Sequence, residues 1–263
     1  MVTLSQQNVP FSDREIDISS DMLVPVIAYP QYSESEYKDR VFEMESLGIR
    51  SVILDGRMTV KGAHIAGKGC VGIVIKAKKA NNSVCALKIR RTDAVRKTMD
   101  EEVRFHKIAN RVGVGPHLEG QTKNLIAMEY VPGQNIGEWI SQTSSSASNT
   151  ICSVGRDILE QCFRLDNTGL DHGELSRLTR HVIVSHKPCL IDFESASTRR
   201  KTCNVTAAAQ SIFLYGIVAD KVRKILGNID KEKAIRALRT YKHLPTRANF
   251  DGILGALGVL LPM

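Results

Sequence analysis

The sequence predicts an α+β chain in two parts, β-rich first and mostly helical later. Period-2 apolar alternation runs from Met58 to Ile89, and helical periodicity dominates after residue 150. Strands followed by helices, with no internal repeat, fit a two-lobed α+β protein rather than alternating βαβ units. At 263 residues with 43% hydrophobic side chains, the chain has ample core for such a fold.

Taken in order, residues 1–30 read as polar and then extended around Met22–Ala28. A helix is predicted over 33–47, with Ser33 as its N-cap, Tyr37, Val41, Met44 and Leu47 on one face, and Gly48 as the stop. Ile49–Leu54 reads as a strand closed by the turn signal Asp55-Gly56. The β pattern then runs to Ile89 with a break at Asn81-Asn82-Ser83. A helix is predicted from about Asp93 to Asn110, burying Val95, Met99, Val103, Phe105, Ile108 and Ala109, and Gly113-Val114-Gly115-Pro116 ends it. Leu125–Tyr130 is a short strand, Ile136–Ile140 opens a helix, and 143–149 is a Ser-rich loop. Residues 150–168 are helical, Val182–Val184 and Cys189–Ile191 are strands, and helices cover 205–227 and 231–241. This divides the chain into an N-terminal extension (1–56) too small for its own core, a β-rich part (57–131) and a mostly helical part (132–263).

No apolar run approaches the roughly 20 residues of a membrane helix, and the opening residues lack a basic-then-apolar leader, so a cytoplasmic chain without a membrane partner is expected. Six scattered cysteines without a Cys-x-x-Cys pair argue for reduced, mostly buried thiols; Cys70 stands apart in a glycine loop. The net charge is +8, and Arg177, Arg180, His181, His186, Lys187, Arg199, Arg200 and Lys201 crowd one late stretch. That stretch is either a solvated face or a surface for phosphates, of a nucleotide or of RNA. With aromatics at 5%, a base-stacking platform is not indicated.

Four segments carry chemistry. Gly67-Lys68-Gly69-Cys70-Val71-Gly72-Ile73-Val74 is a G-x-G-x-x-G loop that continues into a β-branched run, as a hairpin over phosphates does and a Rossmann turn does not. A P-loop is excluded because Gly69 stands where the magnesium-binding hydroxyl belongs and no helix follows. Lys88 lies on the next strand, where a buried ammonium would need an anion; Glu101 and Glu102 on the following helix offer one, and Glu102 is favoured. Glu174, in Asp171-His172-Gly173-Glu174, and Asp192, in Ile191-Asp192-Phe193-Glu194, are separated by a predicted hairpin that brings both to one face. A carboxylate after an apolar strand suits a Mg²⁺ ion bridging phosphates. Phosphoryl transfer from ATP is the expected chemistry.

At these residues the chain resembles the protein-kinase superfamily, and within it a group of archaeal serine/threonine kinases similar to the RIO and KEOPS-associated atypical kinases. The resemblance covers about residues 57–205 and includes Met128-Glu129-Tyr130-Val131. It implies a bilobal fold, a β-rich N-lobe with a small helical C-lobe, and ATP and Mg²⁺ as cofactors. Gly67, Gly69, Gly72, Val74 and Ala86 would surround ATP, Lys88 and Glu102 would form an ion pair, and Glu129–Val131 would meet adenine. Asp192 would hold the metal with Glu194 or His181 as a further ligand, and Glu174 would serve the acceptor hydroxyl. The chain departs from the family where Glu174 replaces aspartate and Glu194 replaces glycine. Thr179 or His181 stands in place of a metal-binding asparagine, and no Ala-Pro-Glu motif follows. The acceptor would be a protein or the chain itself, with the serines of 144–148 as a candidate stretch. RNA or a ribonucleoprotein would be a partner of the basic stretch. A small-molecule kinase and an ATP-binding pseudokinase scaffold are the alternatives.

Overall fold

The computed structural model describes residues 15–144 and 146–259; the polar opening and Ser145 lie outside them. The chain is α+β with antiparallel sheets and divides into two units. Among the described residues, unit 1 comprises 15–100 and 118–130, and unit 2 comprises 101–117, 131–144 and 146–259.

Unit 1 is built on an antiparallel sheet. Its elements are β1 (Glu15–Asp17), the helices α1 (Val24–Ile27) and α2 (Glu34–Ser46), β2 (Ile49–Ile53), β3 (Met58–Val60), β4 (Ala63–Ile65), β5 (Gly67–Lys68), β6 (Gly72–Lys79) and β7 (Val84–Arg90). After α3 (Asp100–Arg111), β8 (Leu118–Gln121) and β9 (Leu125–Glu129) complete the sheet in the order β1-β2-β6-β7-β9-β8, with β5 on β6. Alternation puts Ile73, Ile75 and Ala77 of β6 and Cys85, Leu87 and Ile89 of β7 into one core with Val26, Ile27 and Met44. The opposite face of the central strands carries Val74, Ala86, Lys88, Ile126 and Met128, matched by the registers Val74–Lys88–Ile126 and Ala86–Met128.

Three expectations fail in this unit. Residues 21–27 are helical, not extended: Ser20 caps the turn, and Pro25 sits in the first turn of α1, where its missing N–H costs nothing. Asp55-Gly56 makes no hairpin. β2 pairs with β1 and β6, and a Cβ on Gly56 would lie 1.7 Å from the Ile65 carbonyl oxygen, so this glycine serves close backbone approach. The predicted helix from Asp93 begins only at Asp100. Its first turns are diverted because Met99 N–H donates to Lys123 O and the Arg90 guanidinium takes the Arg96 carbonyl, leaving Val95 95% exposed.

Unit 2 holds residues 101–117, including most of α3, then β10 (Gln134–Asn135), α4 (Ile136–Gln142), α5 (Ser148–Asn167), β11 (Val182–Val184), β12 (Pro188–Leu190), α6 (Asn204–Ala209), α7 (Ile217–Leu226), α8 (Lys231–His243) and α9 (Arg247–Leu257). α5 is its axis, burying Ile151, Ile158, Leu159, Cys162 and Leu165. The strands form a small antiparallel sheet, β10-β11-β12. The helix expected over 205–227 is interrupted by a π-turn at Gln210–Leu214 and by Gly216, whose φ of +92° ends any right-handed helix. α9 was not expected, although Phe250, Ile253, Leu254 and Leu257 recur at helical spacing behind a Thr246 cap. Of the cysteines, Cys85 and Cys162 are buried, whereas Cys70 and Cys203 are exposed. Among the described residues no helix is long and apolar enough to cross a membrane.

Candidate functional site

In unit 1 the glycine loop is a β-hairpin. Gly67 pairs with Val74 and Lys68 with Ile73, and Gly69 N–H donates to Gly72 O at 2.8 Å. The loop is pinned from behind, since Arg91 N–H donates to Val71 O and its guanidinium to Gly69 O. Gly72 has a steric reason to be glycine: a Cβ would lie 2.9 Å from the Ile89 carbonyl and 3.2 Å from the methylenes of Lys88. The Lys88 stem therefore passes over the floor of the hairpin, on the face opposite the core, and Lys88 is only 4% exposed. Gly67 meets nothing closer than Val74 at 3.5 Å, so no packing demand explains it. Val74 and Ala86, both half-buried, share the Lys88 face, and β9 ends at Glu129, paired with Cys85, before Tyr130 and Val131.

In unit 2 three carboxylates converge. Glu102 of α3 is buried and Glu101 is exposed, the difference expected of neighbours on a helix. Glu102, Asp192 and Glu194 each place an oxygen within 4.8 Å of the others. Asp192 follows β12 with φ +69°, a left-handed conformation that Asp tolerates better than most residues and that turns the chain sharply. Three hard oxygen donors at this separation suit a Mg²⁺ ion. On donor chemistry the group is compatible with the divalent cation that the resemblance implies.

Glu174 is connected to this cluster through His181, which is 4% exposed. His181 Nε2 lies 2.8 Å from Glu174 Oε2, and its Nδ1 lies 3.9 Å from Asp192 Oδ2. The ring thus stands between the two carboxylates rather than in the three-carboxylate group. It does not belong to the basic surface either. Arg177, Arg180, His186, Lys187, Arg199, Arg200 and Lys201 are exposed, and Arg200 also donates Nε to Asp171 Oδ2 at 2.9 Å and Nη2 to Ser195 O at 2.6 Å. Thr179 packs over Gly137.

The backbone that carries the acids is held by residues to which the sequence assigns no such role. Asp171 and Ser197 form a two-way backbone bridge. Asn204 accepts from His172 N–H and donates to Leu170 O, while Asp166 receives the amides of Asn204 and Val205 and the Tyr241 hydroxyl. Gly173, φ +89°, leaves no room for a side chain, because a Cβ would meet Arg200 and the Ser195 carbonyl. Nothing in the local sequence marks Asp166, Asn204 or Arg200 for these contacts.

His172 is fully buried, with Nε2 3.0 Å from Ile191 O and with Nδ1 unpartnered. Burial, reinforced by His181, pushes its pKa down to about 4. The folded value lies below the ordinary 6.5, so the unfolded chain takes up the proton first. The stabilising contribution is complete above the ordinary value and is lost as pH falls through the window toward 4, at a cost on the order of 3 kcal/mol. Urea midpoints at about pH 7 and about pH 5 should therefore differ more for wild type than for His172→Leu. Equal pH dependence in the two proteins would remove His172 as the source.

No protein-family model matches the chain. It is 29% identical over 119 residues to the uncharacterized protein MJ1211 of Methanocaldococcus jannaschii. That match covers 44% of this chain and the whole of the relative.

Proposed function

We propose that the protein is an ATP- and Mg²⁺-dependent phosphotransferase of the atypical protein-kinase type, with units 1 and 2 as its two lobes, acting on a Ser/Thr hydroxyl of a protein or of itself. The observation that carries this reading is in unit 2: Glu174 and Asp192, 18 residues apart in sequence, meet one buried histidine, and Asp192 is at the same time part of a three-carboxylate group. Unit 1 supplies the complementary part, a glycine hairpin whose floor is crossed by the stem of a buried lysine. A glycine hairpin for phosphates, a strand lysine, a helix glutamate and a metal-holding Asp are the parts by which kinases position and neutralise a transferring phosphoryl group.

In this reading the backbone amides of the Gly67–Gly72 hairpin and the Lys88 ammonium hold the ATP phosphates. Val74, Ala86 and Met128 offer the base an apolar face. Asp192, Glu194 and Glu102 would hold the metal, which would supply positive charge to neutralise the phosphates. Glu174 orients the acceptor hydroxyl and accepts its proton. A second reading, ATP binding without transfer, draws on the proximity of His181 to the Glu174 carboxylate, which competes with the acceptor for that carboxylate.

Incubation with Mg²⁺ and γ-labelled ATP, beside a thermal-shift titration with ATP, separates the readings. Wild type should become labelled, or label casein. Lys88→Ala should lose the label and most of the thermal shift, and Glu174→Ala should keep the shift but lose the label. If Glu174→Ala labels at the full rate, the catalytic assignment is wrong; a wild-type shift without label favours the binding reading.

A further inference from the structure

The Ser195 hydroxyl donates to Glu174 Oε1 at 2.9 Å, and His181 Nε2 lies 2.8 Å from Oε2 of the same carboxylate. Each oxygen of Glu174 thus has its own neighbour, one a neutral donor from the loop after Asp192, the other a buried ring. We infer that Ser195 is a positioning residue for phosphoryl transfer, fixing the Glu174 carboxylate so that the longer side chain does the work of an aspartate. The inference rests on the function proposed above.

A glutamate has one more rotatable bond than an aspartate and reaches over an ångström further. Displacement of a catalytic group by about an ångström can cost about a hundredfold in rate, so a free Glu174 would be a poor substitute. A hydrogen bond to one oxygen selects one rotamer and leaves lone pairs on the carboxylate for an acceptor hydroxyl, since an ionised carboxylate accepts about four hydrogen bonds. Ser195 can only do this if its own backbone is fixed relative to Glu174, and three contacts fix it. Ser195 O receives Arg200 Nη2, Arg200 Nε is bound to Asp171, and Asp171 is bridged to Ser197 through the backbone. Donor and acceptor therefore hang from two segments tied together at Asp171. The arrangement is also economical in sequence: Ser195 lies three residues after Asp192, so the loop that presents the metal ligand presents the Glu174 clamp as well.

The test is a double-mutant cycle on transfer from γ-labelled ATP, with wild type, Ser195→Ala, Ser195→Thr, Glu174→Gln and Ser195→Ala/Glu174→Gln. Ser195→Ala should lower kcat by roughly ten- to a hundredfold with the KM for ATP unchanged. Ser195→Thr, which keeps the hydroxyl, should recover most of that loss. In the Glu174→Gln background, Ser195→Ala should have little further effect, because the group it positions is already disabled. A general packing defect would instead raise KM, resist rescue by threonine and add fully to Glu174→Gln; any of these overturns the inference. Wild type that labels neither itself nor casein overturns the phosphotransfer reading and this role with it. Active wild type with an equally active Ser195→Ala overturns the positioning role alone.

Discussion

Asp192→Asn is expected to lower phosphoryl transfer by at least about a hundredfold without destabilising the fold. Asparagine is the informative substitution because Asp192 sits at φ +69°, where Asn is tolerated and alanine would add backbone strain. The side chain keeps its shape and loses its charge. In the wild type, oxygens of Glu102, Asp192 and Glu194 lie within 4.8 Å of one another, and like charges that close repel. A bound divalent cation relieves that repulsion, so Mg²⁺ should raise the melting temperature of wild type in proportion to its occupancy. In Asp192→Asn the Mg²⁺-dependent increment should shrink. Titrating Mg²⁺ by thermal shift, with the labelling assay alongside, reads both. If the increment and the rate both survive, the three carboxylates are not the metal centre and Asp192 has no part in transfer.

The main strands and the candidate site were legible for one reason: they rest on short-range patterns. Alternation in β6 and β7 is visible because one face is buried, and the glycine hairpin is visible because its residues are consecutive. Glu102 could be preferred to Glu101 from helical spacing alone. The start of its helix could not be placed, because the competing partners of residues 91–99 are Lys123 O and the Arg90 guanidinium, one from the far end of the sheet and the other a side chain. Val95 looked buried by periodicity and is almost fully exposed for that reason. The same limit hid what holds the site in place. Glu174, Ser195 and Arg200 are spread over 27 residues, and their relation appears only once Asp171 and Ser197 are bridged. His181 read both as one of a run of basic residues and as a candidate metal ligand; burial separates it from Arg180, and the distances to Glu174 and Asp192 show that it lies between two carboxylates. Asp55-Gly56 illustrates the reverse case, a strong local turn signal overridden because β2 finds its partners elsewhere.

Phe193→Ala should be the most destabilising of these substitutions, costing about 3–5 kcal/mol, and its effect should reach the three-carboxylate group. The ring is 1% exposed and lies between two buried histidines, with centroids 5.2 Å from His106 and 5.3 Å from His172. Neither histidine is free to follow a shrinking side chain. His106 Nε2 is 2.7 Å from Pro116 O, and His172 is fixed through Ile191 O and through its own amide on Asn204. Gly115 backs directly onto the ring, since a Cβ there would come within 2.7 Å of it, so the cavity left by alanine would not be filled by collapse. Phe193 is also the residue between Asp192 and Glu194, and its burial anchors the loop that points both carboxylates at Glu102. Loss of the ring should therefore lower the Mg²⁺ response together with the urea midpoint. Phe193→Leu distinguishes the anchor from the aromatic contacts: it should recover most of the stability, as near-volume-conserving swaps do, and with it most of the Mg²⁺ response. Gly115→Ala approaches the same ring from the other side, through the clash and through a φ of +82° that alanine resists, and should also destabilise. A Phe193→Ala protein with a near wild-type midpoint would mean that the Asp192 loop is held by something other than this ring.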